Sequence, residues 1–463
     1  MPEEAEEDRM RRSSFTLAFC LIAAALCVSP QAQAPTTIAI RGVTLIDGTG
    51  RAPVPNATVV IEGTQIKDAG ANVQAPAGAR IIDGTGKFMI PGMIDAHIHL
   101  RGGGGRNSSP SVTPEQEREG LRALHGYLYC GVTTVFDAGN RSEFIMGLRA
   151  KERAGAIASP RILATGGTVA SPNGHGGPYT IEAWPGDRKL LDEHLATKPD
   201  LAKIGQDEHG WGTRPMIDQL PDDLLEKIIR YYHQHGVRII IHVSNEHTAV
   251  EAIYAGADTL AHPIIQAPMS DRYVNMMRVK HVPTVSTLTI GENYSRLAEH
   301  PEFLDQPLYR DTIEAAERKR LKTEESAKQK DNRWAAWMKV MTPVAQDNMK
   351  RLNDAGKDIV ATGTDQSSGP AFHRELELLV GGGISAADAI VMATRNAARA
   401  LGKLDELGTI EGGKLADFVL LKADPTKDIN NAKLVDTVVK NGQIVDRSKL
   451  DLPVNRPGAT QQQ

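Results

Sequence analysis

The chain of 463 residues is long enough to form one large α/β domain with a sizeable core and a smaller module beside it. Its formal net charge is −4 and its basic residues are dispersed, which argues against a nucleic-acid-binding surface. Apart from a high glycine content of 43 residues, the composition is typical of a globular protein.

The first 34 residues have the three-part pattern of a secretory signal peptide. Two arginines (11–12) precede a mainly apolar run (15–28), and the tripeptide Ala-Gln-Ala at 32–34 provides a cleavage site. The apolar run is short for a membrane span, so an N-terminal anchor is the weaker alternative. We therefore expect a periplasmic or secreted protein with no stable membrane partner. Two of the three cysteines lie in this segment, so the mature chain keeps only Cys130 and has no internal disulfide.

Two β-rich regions flank a long middle region. Over residues 35–90, short strand-like runs alternate with Asp-Gly and Gly-Thr-Gly turns. A similar pattern of short strand-like runs and turns occurs over 405–448. In the second region, Asn441-Gly442 is a strong hairpin signal. This pattern predicts one small β-sandwich formed from both termini. The last segment, 449–463, ends in RPGATQQQ, and we expect it to be disordered.

The middle region, residues 91–404, alternates short apolar runs with helix-like stretches. The eight runs read MIDAHIHL, VTTVFDAG, RILATGG, LAKIG, RIIIHVS, DTLAHP, VPTVSTLT and DIVATGTD. Eight strands alternating with helices predict an α/β fold of the (β/α)₈ TIM-barrel type. A charged helical stretch over about 292–350 precedes the last strand. We interpret it as a lid over the barrel mouth, because its NRWAAWMKVM carries two tryptophans; a solvated helical excursion is the alternative.

Metal-capable side chains follow several of these strands, at the end of the barrel where active sites lie. Neutral imidazoles and carboxylates are good zinc ligands that leave an open position for water. His97 and His99, one residue apart on a strand, point to the same side; a surface pair is the alternative. The strand-end residues are His97 and His99 in the first strand, Lys203 in the fourth, His242 in the fifth, His262 in the sixth and Asp365 in the eighth.

In the order of these motifs, the sequence resembles the metal-dependent amidohydrolase superfamily, in its imidazolonepropionase-like and prolidase-like branch. The resemblance covers nearly the whole mature chain. It rests on PGMIDAHIHL at 91–100, on Lys203-Ile204, on the single histidines after strands five and six, and on Gly-Thr-Asp at 363–365. It implies a fold with a two-ended β-sandwich and a metal-dependent hydrolytic site.

The resemblance also implies the ligand set. His97, His99 and Asp365 would hold a more buried zinc ion, and His242 and His262 a more exposed one. Lys203 would be carboxylated by carbon dioxide and would bridge the two ions. A salt-bridged lysine beside a single metal is the alternative, and other divalent metals suit these ligands as well.

The function that the resemblance implies is hydrolysis of an amide or other C–N bond in a small molecule: an N-acyl amino acid, a dipeptide or a cyclic amide. A metal-activated water attacks the carbonyl, and Asp365 moves its proton to the leaving nitrogen. A lactonase, esterase or organophosphate hydrolase would use the same site. An inactive structural or binding homologue is the alternative from another class. A homo-oligomer is compatible with the sequence.

Three loop positions bear on the substrate. His175 lies in the glycine-rich SPNGHGGPYT, where related sequences often carry Gly-Gly-His-Gly near substrate; it is a candidate substrate contact, or a loop histidine without a role. After the strand-five histidine, peptidase-like relatives often have Ala-Tyr-Gly, whereas this chain has Val-Ser-Asn at 243–245, which weighs against a dipeptidase. We also expect His209, in the loop after the fourth strand, to lie near the barrel rim.

Overall fold

The computed structural model describes residues 37–103, 111–208 and 216–456. The predicted signal peptide over 1–34, His209 and residues 457–463 of the predicted tail lie outside these ranges. Among the helices within these ranges, none combines the length and the apolar character that are needed to cross a lipid bilayer.

Short strands alternate with helices over most of the described chain. The strands are β1 (Thr37–Leu45), β2 (Val54–Glu62), β3 (Gln65–Gly70), β4 (Arg80–Asp83), β5 (Phe88–Pro91), β6 (Met93–Ile98), β7 (Val132–Asp137), β8 (Arg161–Ala164), β9 (Thr168–Ala170), β10 (Pro178–Thr180), β11 (Leu201–Gly205), β12 (Arg238–His242), β13 (Thr259–Ala261), β14 (Thr284–Val285), β15 (Val360–Ala361), β16 (Phe418–Leu421), β17 (Val435–Lys440) and β18 (Gln443–Ile444). The α-helices are α1 (Pro114–Tyr129), α2 (Ser142–Arg153), α3 (Arg188–Ala196), α4 (Asp222–Gln234), α5 (Glu246–Ala255), α6 (Asp271–Lys280), α7 (Leu288–Glu299), α8 (Pro307–Thr312), α9 (Ala315–Arg320), α10 (Ser326–Lys330), α11 (Arg333–Ala355), α12 (Gly369–Gly381), α13 (Ala386–Val391) and α14 (Ala397–Ala400). Each of the eight predicted apolar runs contains one strand, namely β6, β7, β8 and β11 to β15.

Both ends of the described chain contribute strands to one mixed sheet, in the order β18-β17-β16-β5-β1-β2-β3. Strand β1 pairs with β4 over its first half and with β5 near its end, and β16 pairs with β5. The sheet has its own apolar core, to which Val59, Met89 and Phe418 belong. The sandwich form that we expected for this region stays a prediction.

The last hairpin of this sheet confirms the Asn441-Gly442 signal. Strands β17 and β18 are antiparallel, and Lys440 stands opposite Gln443 across a two-residue turn. Both turn residues have positive φ, 50° for Asn441 and 71° for Gly442, as a type I′ turn requires. A Cβ atom at Gly442 would lie 2.1 Å from the carbonyl oxygen of Gly63, so the turn needs glycine there.

The middle region forms two parallel sheets, ordered β6-β7-β8 and β10-β9-β11-β12-β13-β14-β15. Main-chain hydrogen bonds connect them at both edges. Ala96 N donates to Thr362 O at 3.1 Å, beside the first and eighth predicted strands, and Asp200 N donates to Ala164 O at 2.9 Å, beside the third and fourth. The eight strands therefore neighbour one another in chain order. Strands β9 and β10, in the loop after β8, were not predicted.

Strand β12 shows why these runs are apolar at every position. Ile239 and Ile241 pack outward against the helices, in one cluster with Ile228 of α4. Ile240 packs inward, in a different cluster that includes Phe136 of β7. A parallel strand covered on both faces has no solvent-facing side, so β-branched residues fill both.

The segment that we interpreted as a lid, about 292–350, lies between β14 and β15 and contains most of α7 to α11. Helix α7 packs along α11. Of the two tryptophans in the segment, Trp337 packs against the large core and Trp334 also borders a cavity at the strand ends. The two residues therefore have different surroundings, although they are only three positions apart.

The prediction of disorder is wrong for residues 449–456, which pack against the rest of the chain. Leu450 and Leu452 are buried and pack against Leu128 of α1. Asp451 N donates to Nδ1 of His125 at 2.9 Å, and Arg456 forms an ion pair with Glu314. The segment is mainly polar, so the two leucines did not stand out in the sequence. Only the folded chain brings them next to Leu128, which covers their apolar surface.

Candidate active site

A cavity of about 750 Å³ opens at the carboxyl ends of the parallel strands. It is the place where parallel α/β sheets position their functional side chains. His97 is fully buried just behind its wall, within 3.4 Å of Lys203. The seven residues predicted from the sequence are thus brought together, because the other six line the cavity: His99, His175, Lys203, His242, His262 and Asp365.

His97, His99 and Asp365 form the first cluster, where β6 and β15 end. Nε2 of His99 lies 3.2 Å from Oδ1 of Asp365, and Nε2 of His97 lies 3.8 Å from the same oxygen. Nδ1 of His99 lies 2.7 Å from Gly139 O. Since a carbonyl only accepts, this Nδ1 carries the proton, and Nε2 presents its lone pair to the cluster.

Main-chain geometry holds the first cluster in place. Asp365 N donates to His97 O at 2.7 Å, and the Asp365 backbone is left-handed with φ 53°. His262 and Thr287, after the two preceding strands, are also left-handed, with φ of 79° and 34°. Such conformations are costly for residues with a side chain and concentrate at functional sites. At Gly363, a Cβ atom would lie 2.9 Å from Cβ of His97, so glycine lets β15 approach β6.

Lys203 lies within the cavity rather than on the surface. Its Nζ is 3.4 Å from Nε2 of His97. Burial lowers the pKa of Lys203 to about 7, although the carboxylate of Asp365 acts in the opposite direction. Burial, and then the charge of Lys203, holds the pKa of His97 well below its ordinary value. At neutral pH His97 is therefore an uncharged imidazole, the form that binds metals.

His242 and His262 border the cavity beside the first cluster. Their ring centroids are 4.4 Å apart, and those of His262 and His97 are 4.6 Å apart. Nδ1 of His262 lies 2.8 Å from the Thr287 hydroxyl oxygen. Burial lowers the pKa of both His242 and His262, so both are neutral at pH 7.

His175 and a residue that the sequence analysis missed, Asp207, complete the opposite side. The ring of His175 stacks on His242 at a centroid distance of 4.0 Å. The carboxylate of Asp207 is buried, 3.3 Å from Nε2 of His242 and 4.0 Å from Nδ1 of His175. Burial alone would raise the pKa of Asp207, but His242 and the Ser244 hydroxyl outweigh it and lower the pKa. The available signal was an aspartate just past a buried strand, four residues after Lys203.

The outer part of the cavity has an apolar wall and a polar wall. Ile290 and Tyr294 of α7 and Trp334 of α11 form the apolar wall, and the Tyr294 and Trp334 rings meet edge to face at 6.0 Å. The main-chain turn before α2 also lines the cavity, and with Asn140 and Arg141 it forms the polar wall. A small molecule with an apolar group and a polar group can therefore contact both walls.

The donor set suits divalent cations. Two groups of three residues, His97–His99–Asp365 and His175–Asp207–His242, each place potential ligand atoms within 4.8 Å of one another. Ligand atoms about 2.1 Å from a tetrahedral zinc ion lie about 3.4 Å apart, close to the 3.2 Å between Nε2 of His99 and Oδ1 of Asp365. Nδ1 of His97 is buried and has no hydrogen-bond partner among the described residues. Neutral imidazoles and carboxylates at this spacing fit a metal centre.

Comparisons with known proteins agree with this geometry. Residues 88–445 match the Amidohydrolase family. The chain is 29% identical over 233 residues to an enamidase of Eubacterium barkeri, a match covering 47% of this chain and 54% of the enamidase, so it spans about half of that protein's length. It is 25% identical over 410 residues to an imidazolonepropionase of Caldanaerobacter subterraneus subsp. tengcongensis, covering 80% of this chain and 85% of that protein.

A solved structure supplies the fold comparison. The chain is similar to a Xaa-Pro dipeptidase crystallised with methionine in its active site, with a TM-score of 0.69 and 22% identity, covering 89% of this chain and 100% of that chain. At this identity the likeness concerns the fold alone. Together with the family match, it implies a TIM-like barrel.

Proposed function

The chain belongs to the amidohydrolase family, and from this premise we propose that it hydrolyses an amide or another C–N bond in the strand-end cavity. The resemblance to the imidazolonepropionase-like and prolidase-like branch is confirmed by the relatives it matches. One observation carries the proposal: side chains from the ends of five different strands converge on a single cavity. These are His97, His99, Lys203, His242, His262 and Asp365.

Two divalent cations, zinc in the first instance, are the proposed cofactors. His97, His99 and Asp365 would hold the more buried ion, and His242 and His262 would contribute to the more exposed one. When bound, such ions lower the pKa of water and polarise the scissile carbonyl. The neutral imidazoles of His97 and His262 support that assignment, since they bind cations without first losing a proton at pH 7.

Lys203 is proposed to be carboxylated. Its nitrogen attacks carbon dioxide, an N–C bond forms and one proton leaves, giving a carbamate anion in place of an amine. The location supports this: Nζ is buried, lies 3.4 Å from Nε2 of His97, and borders the same cavity as His242 and His262. The protonated amine would repel cations, whereas a carbamate would attract them and would supply an anionic ligand between the two groups of histidines.

Asp365 is the proposed proton carrier. As the oxygen of water bonds to the carbonyl carbon, the Asp365 carboxylate accepts a proton from that water. It then gives this proton to the nitrogen as the C–N bond breaks, which leaves a carboxylate product and an amine. Oδ1 of Asp365 lies 3.2 Å from His99 and 3.8 Å from His97, and therefore at the centre of the histidine cluster.

The proposed substrate is an N-acyl amino acid, a dipeptide or a cyclic amide with an apolar part. The apolar wall of Ile290, Tyr294 and Trp334 would contact that part. His175 would contact the substrate near the carbonyl only where it is not itself a ligand of a cation. Because Trp334 comes from the inserted helices, its position also supports the lid function that we expected for 292–350.

Two further expectations are part of the proposal. The bonds from Ala96 to Thr362 and from Asp200 to Ala164 support closure of the two parallel sheets into one barrel. Export to the periplasm or medium rests on the signal-peptide pattern of residues 1–34. Fractionation of cells that express the full chain tests it, and a product that stays in the cytoplasm at full length would overturn it.

The central test combines metal content with turnover. Protein purified without chelators is analysed for metal per chain and assayed on N-acyl amino acids, dipeptides and lactones. We expect two zinc ions per chain and turnover of at least one C–N substrate. Turnover of lactones or esters alone would replace the proposal with the ester-hydrolase alternative. Neither metal nor turnover would favour an inactive binding homologue.

Two variants test the bridging residue. Lys203→Ala should lose one or both metal ions together with activity, whereas Lys189→Ala, an exposed lysine on α3, should lose neither. Metal uptake by chelator-treated wild-type protein should increase with added bicarbonate, and uptake by Lys203→Ala should not. One metal per chain with an active Lys203→Ala would assign Lys203 a structural role.

A further inference from the structure

Asp207 is a buried carboxylate beside the cavity, and it is not one of the six strand-end residues. It lies in the loop after β11 and is 1% exposed. The Ser244 hydroxyl donates to its Oδ1 at 2.7 Å, and Gln266 Nε2 donates to that hydroxyl oxygen at 3.2 Å. These bonds orient the carboxylate so that Oδ2 faces His242 and His175.

His175 is brought to this carboxylate by a backbone that only glycine permits. A Cβ atom at Gly205, the last residue of β11, would lie 1.6 Å from the carbonyl oxygen of His175. A Cβ atom at Gly174 would lie 2.7 Å from the carbonyl oxygen of Asp218. Gly205 therefore allows the loop of His175 to pack against the end of β11, and Gly174 allows the same loop to pack against Asp218. Because the ring then stacks on His242 at 4.0 Å, the position of His175 is fixed from both sides.

We propose that Asp207 and His175, together with His242, bind the more exposed divalent cation, with the Asp207 carboxylate as a direct ligand. Potential ligand atoms of these three residues lie within 4.8 Å of one another, and two imidazoles with one carboxylate make a common zinc ligand set. The inference depends on one part of the proposed function, namely that divalent cations bind at this site.

Charge balance favours the same assignment. Two divalent cations bring four positive charges into a buried cavity, where uncompensated charge is costly. Asp365 and a carbamate on Lys203 contribute two negative charges, and Asp207 contributes a third. Each ion then has a carboxylate of its own, Asp365 on one side and Asp207 on the other. Ser244, which takes the place of the tyrosine common in peptidase-like relatives, holds that second carboxylate.

Cobalt ions report ligation directly. The mature protein is stripped with a chelator and titrated with Co²⁺, with cobalt per chain and the visible and near-ultraviolet spectrum as readouts. In Asp207→Cys we expect a new thiolate-to-cobalt charge-transfer band as the second ion binds. Wild-type protein, in which Cys130 is buried away from the cavity, should show no such band. Ser244→Cys is the matched control. The Ser244 side chain contacts Oδ1 of Asp207, whereas Oδ2 faces His242 and His175, so the sulfur would lie behind the carboxylate and should show no band either.

Asp207→Asn supplies the second measurement, because it keeps the shape of the side chain and removes its charge. We expect it to bind the second cobalt ion at least tenfold more weakly and the first with unchanged affinity. Two tightly bound ions in Asp207→Asn, or a fully loaded Asp207→Cys without the band, would overturn the proposal and leave Asp207 as a positioning residue for His242. Neither readout uses turnover: a wild-type protein that binds two ions but hydrolyses nothing would contradict the proposed function alone.

Discussion

The two sides of the cavity are built by different kinds of contact. The side with His97, His99 and Asp365 is held by the main chain, for example by the bond from Asp365 N to His97 O at 2.7 Å. The side with His175, Asp207 and His242 is held by side chains, through ring stacking at 4.0 Å and the bond from the Ser244 hydroxyl to Asp207.

This difference predicts how each side responds to substitution. Main-chain bonds depend on strand pairing and remain when a side chain is exchanged. Side-chain contacts are lost with the side chain itself. We therefore expect substitutions at Asp365 to remove chemistry and leave geometry, whereas those at Asp207 also disturb the neighbours His175 and His242.

The largest effect is expected for Asp365→Asn. The amide cannot accept and return a proton, so kcat should fall about 1000-fold, or about 4 kcal/mol in transition-state stabilisation. The main-chain bond to His97 does not involve the side chain, so the melting temperature of the metal-free protein should stay within a few degrees of the wild type. Steady-state kinetics and thermal unfolding measure the two quantities.

Asp358→Asn is the matched control for this experiment. Asp358 pairs with His281 and Arg399 and does not line the cavity, so kcat should be unchanged. A loss of less than tenfold in Asp365→Asn, with metal still bound, would contradict the proton-carrier role and leave that carboxylate as a ligand only.

The same contrast explains how much of the site could be predicted from sequence. Parallel strands end at one edge, so a residue at a strand end has a predictable place even in a single sequence. The eight strands and the strand-end residues were predicted on this basis. Asp207 was missed because its place depends on the path of the loop after β11, which strand periodicity does not determine. His175 was recognised from its glycine-rich loop. Its stacking on His242 could not be predicted, because it depends on the path of that loop in the folded chain.

Parts of the fold were hidden for a related reason. Strands β9 and β10 have three residues each, too few to show a period, and they form by pairing with one another and with β11. The segment up to residue 456 packs through Leu450 and Leu452, which only tertiary contact with α1 makes stabilising. Local sequence carries little information about elements that depend on distant partners.

A smaller effect is expected for Thr364→Val, on the support of the main-chain side. The Thr364 hydroxyl lies 2.8 Å from Oδ2 of Asp95, a carboxyl whose pKa burial raises well above its ordinary value. Removing this partner from a buried group should lower the free energy of unfolding by about 1–3 kcal/mol. Urea unfolding of metal-free protein measures the change.

Thr133→Val is the matched control, because the buried Thr133 hydroxyl has no hydrogen-bond partner in the described part of the chain. It should cost clearly less than Thr364→Val. Equal losses in the two variants would show that methyl-for-hydroxyl exchange, rather than the bond to Asp95, sets the stability of this side.

Acid should weaken the contact between α12 and the end of α1. Nε2 of His373, on α12, donates to Cys130 O at 3.0 Å, and burial lowers the pKa of His373 to about 4. A depressed pKa means that the folded state disfavours the charged ring. The contribution is therefore present above pH 6.5 and is lost as the pH falls towards 4, by about 2 kcal/mol at pH 5.

The measurement is the difference in unfolding free energy between wild type and His373→Gln at pH 7.5 and at pH 5. We expect the wild type to lose stability relative to the variant on acidification. His300→Gln removes a histidine whose side chain is 68% exposed and should show no such difference. A wild type and a His373→Gln variant that lose stability in parallel would contradict the assignment.

The smallest effect is expected on the outer wall, which belongs to neither side. Trp334→Ala removes apolar surface that the proposed substrate contacts equally before and during the reaction, so KM should rise about tenfold for substrates with a large apolar group, with kcat nearly unchanged. N-acetyl substrates should change less than twofold. Trp337→Ala removes core packing instead, so it should lower stability and leave KM unchanged. An equal shift in KM for large and small substrates would contradict this role. The apolar wall would then serve closure of the lid rather than selection of the substrate's apolar group.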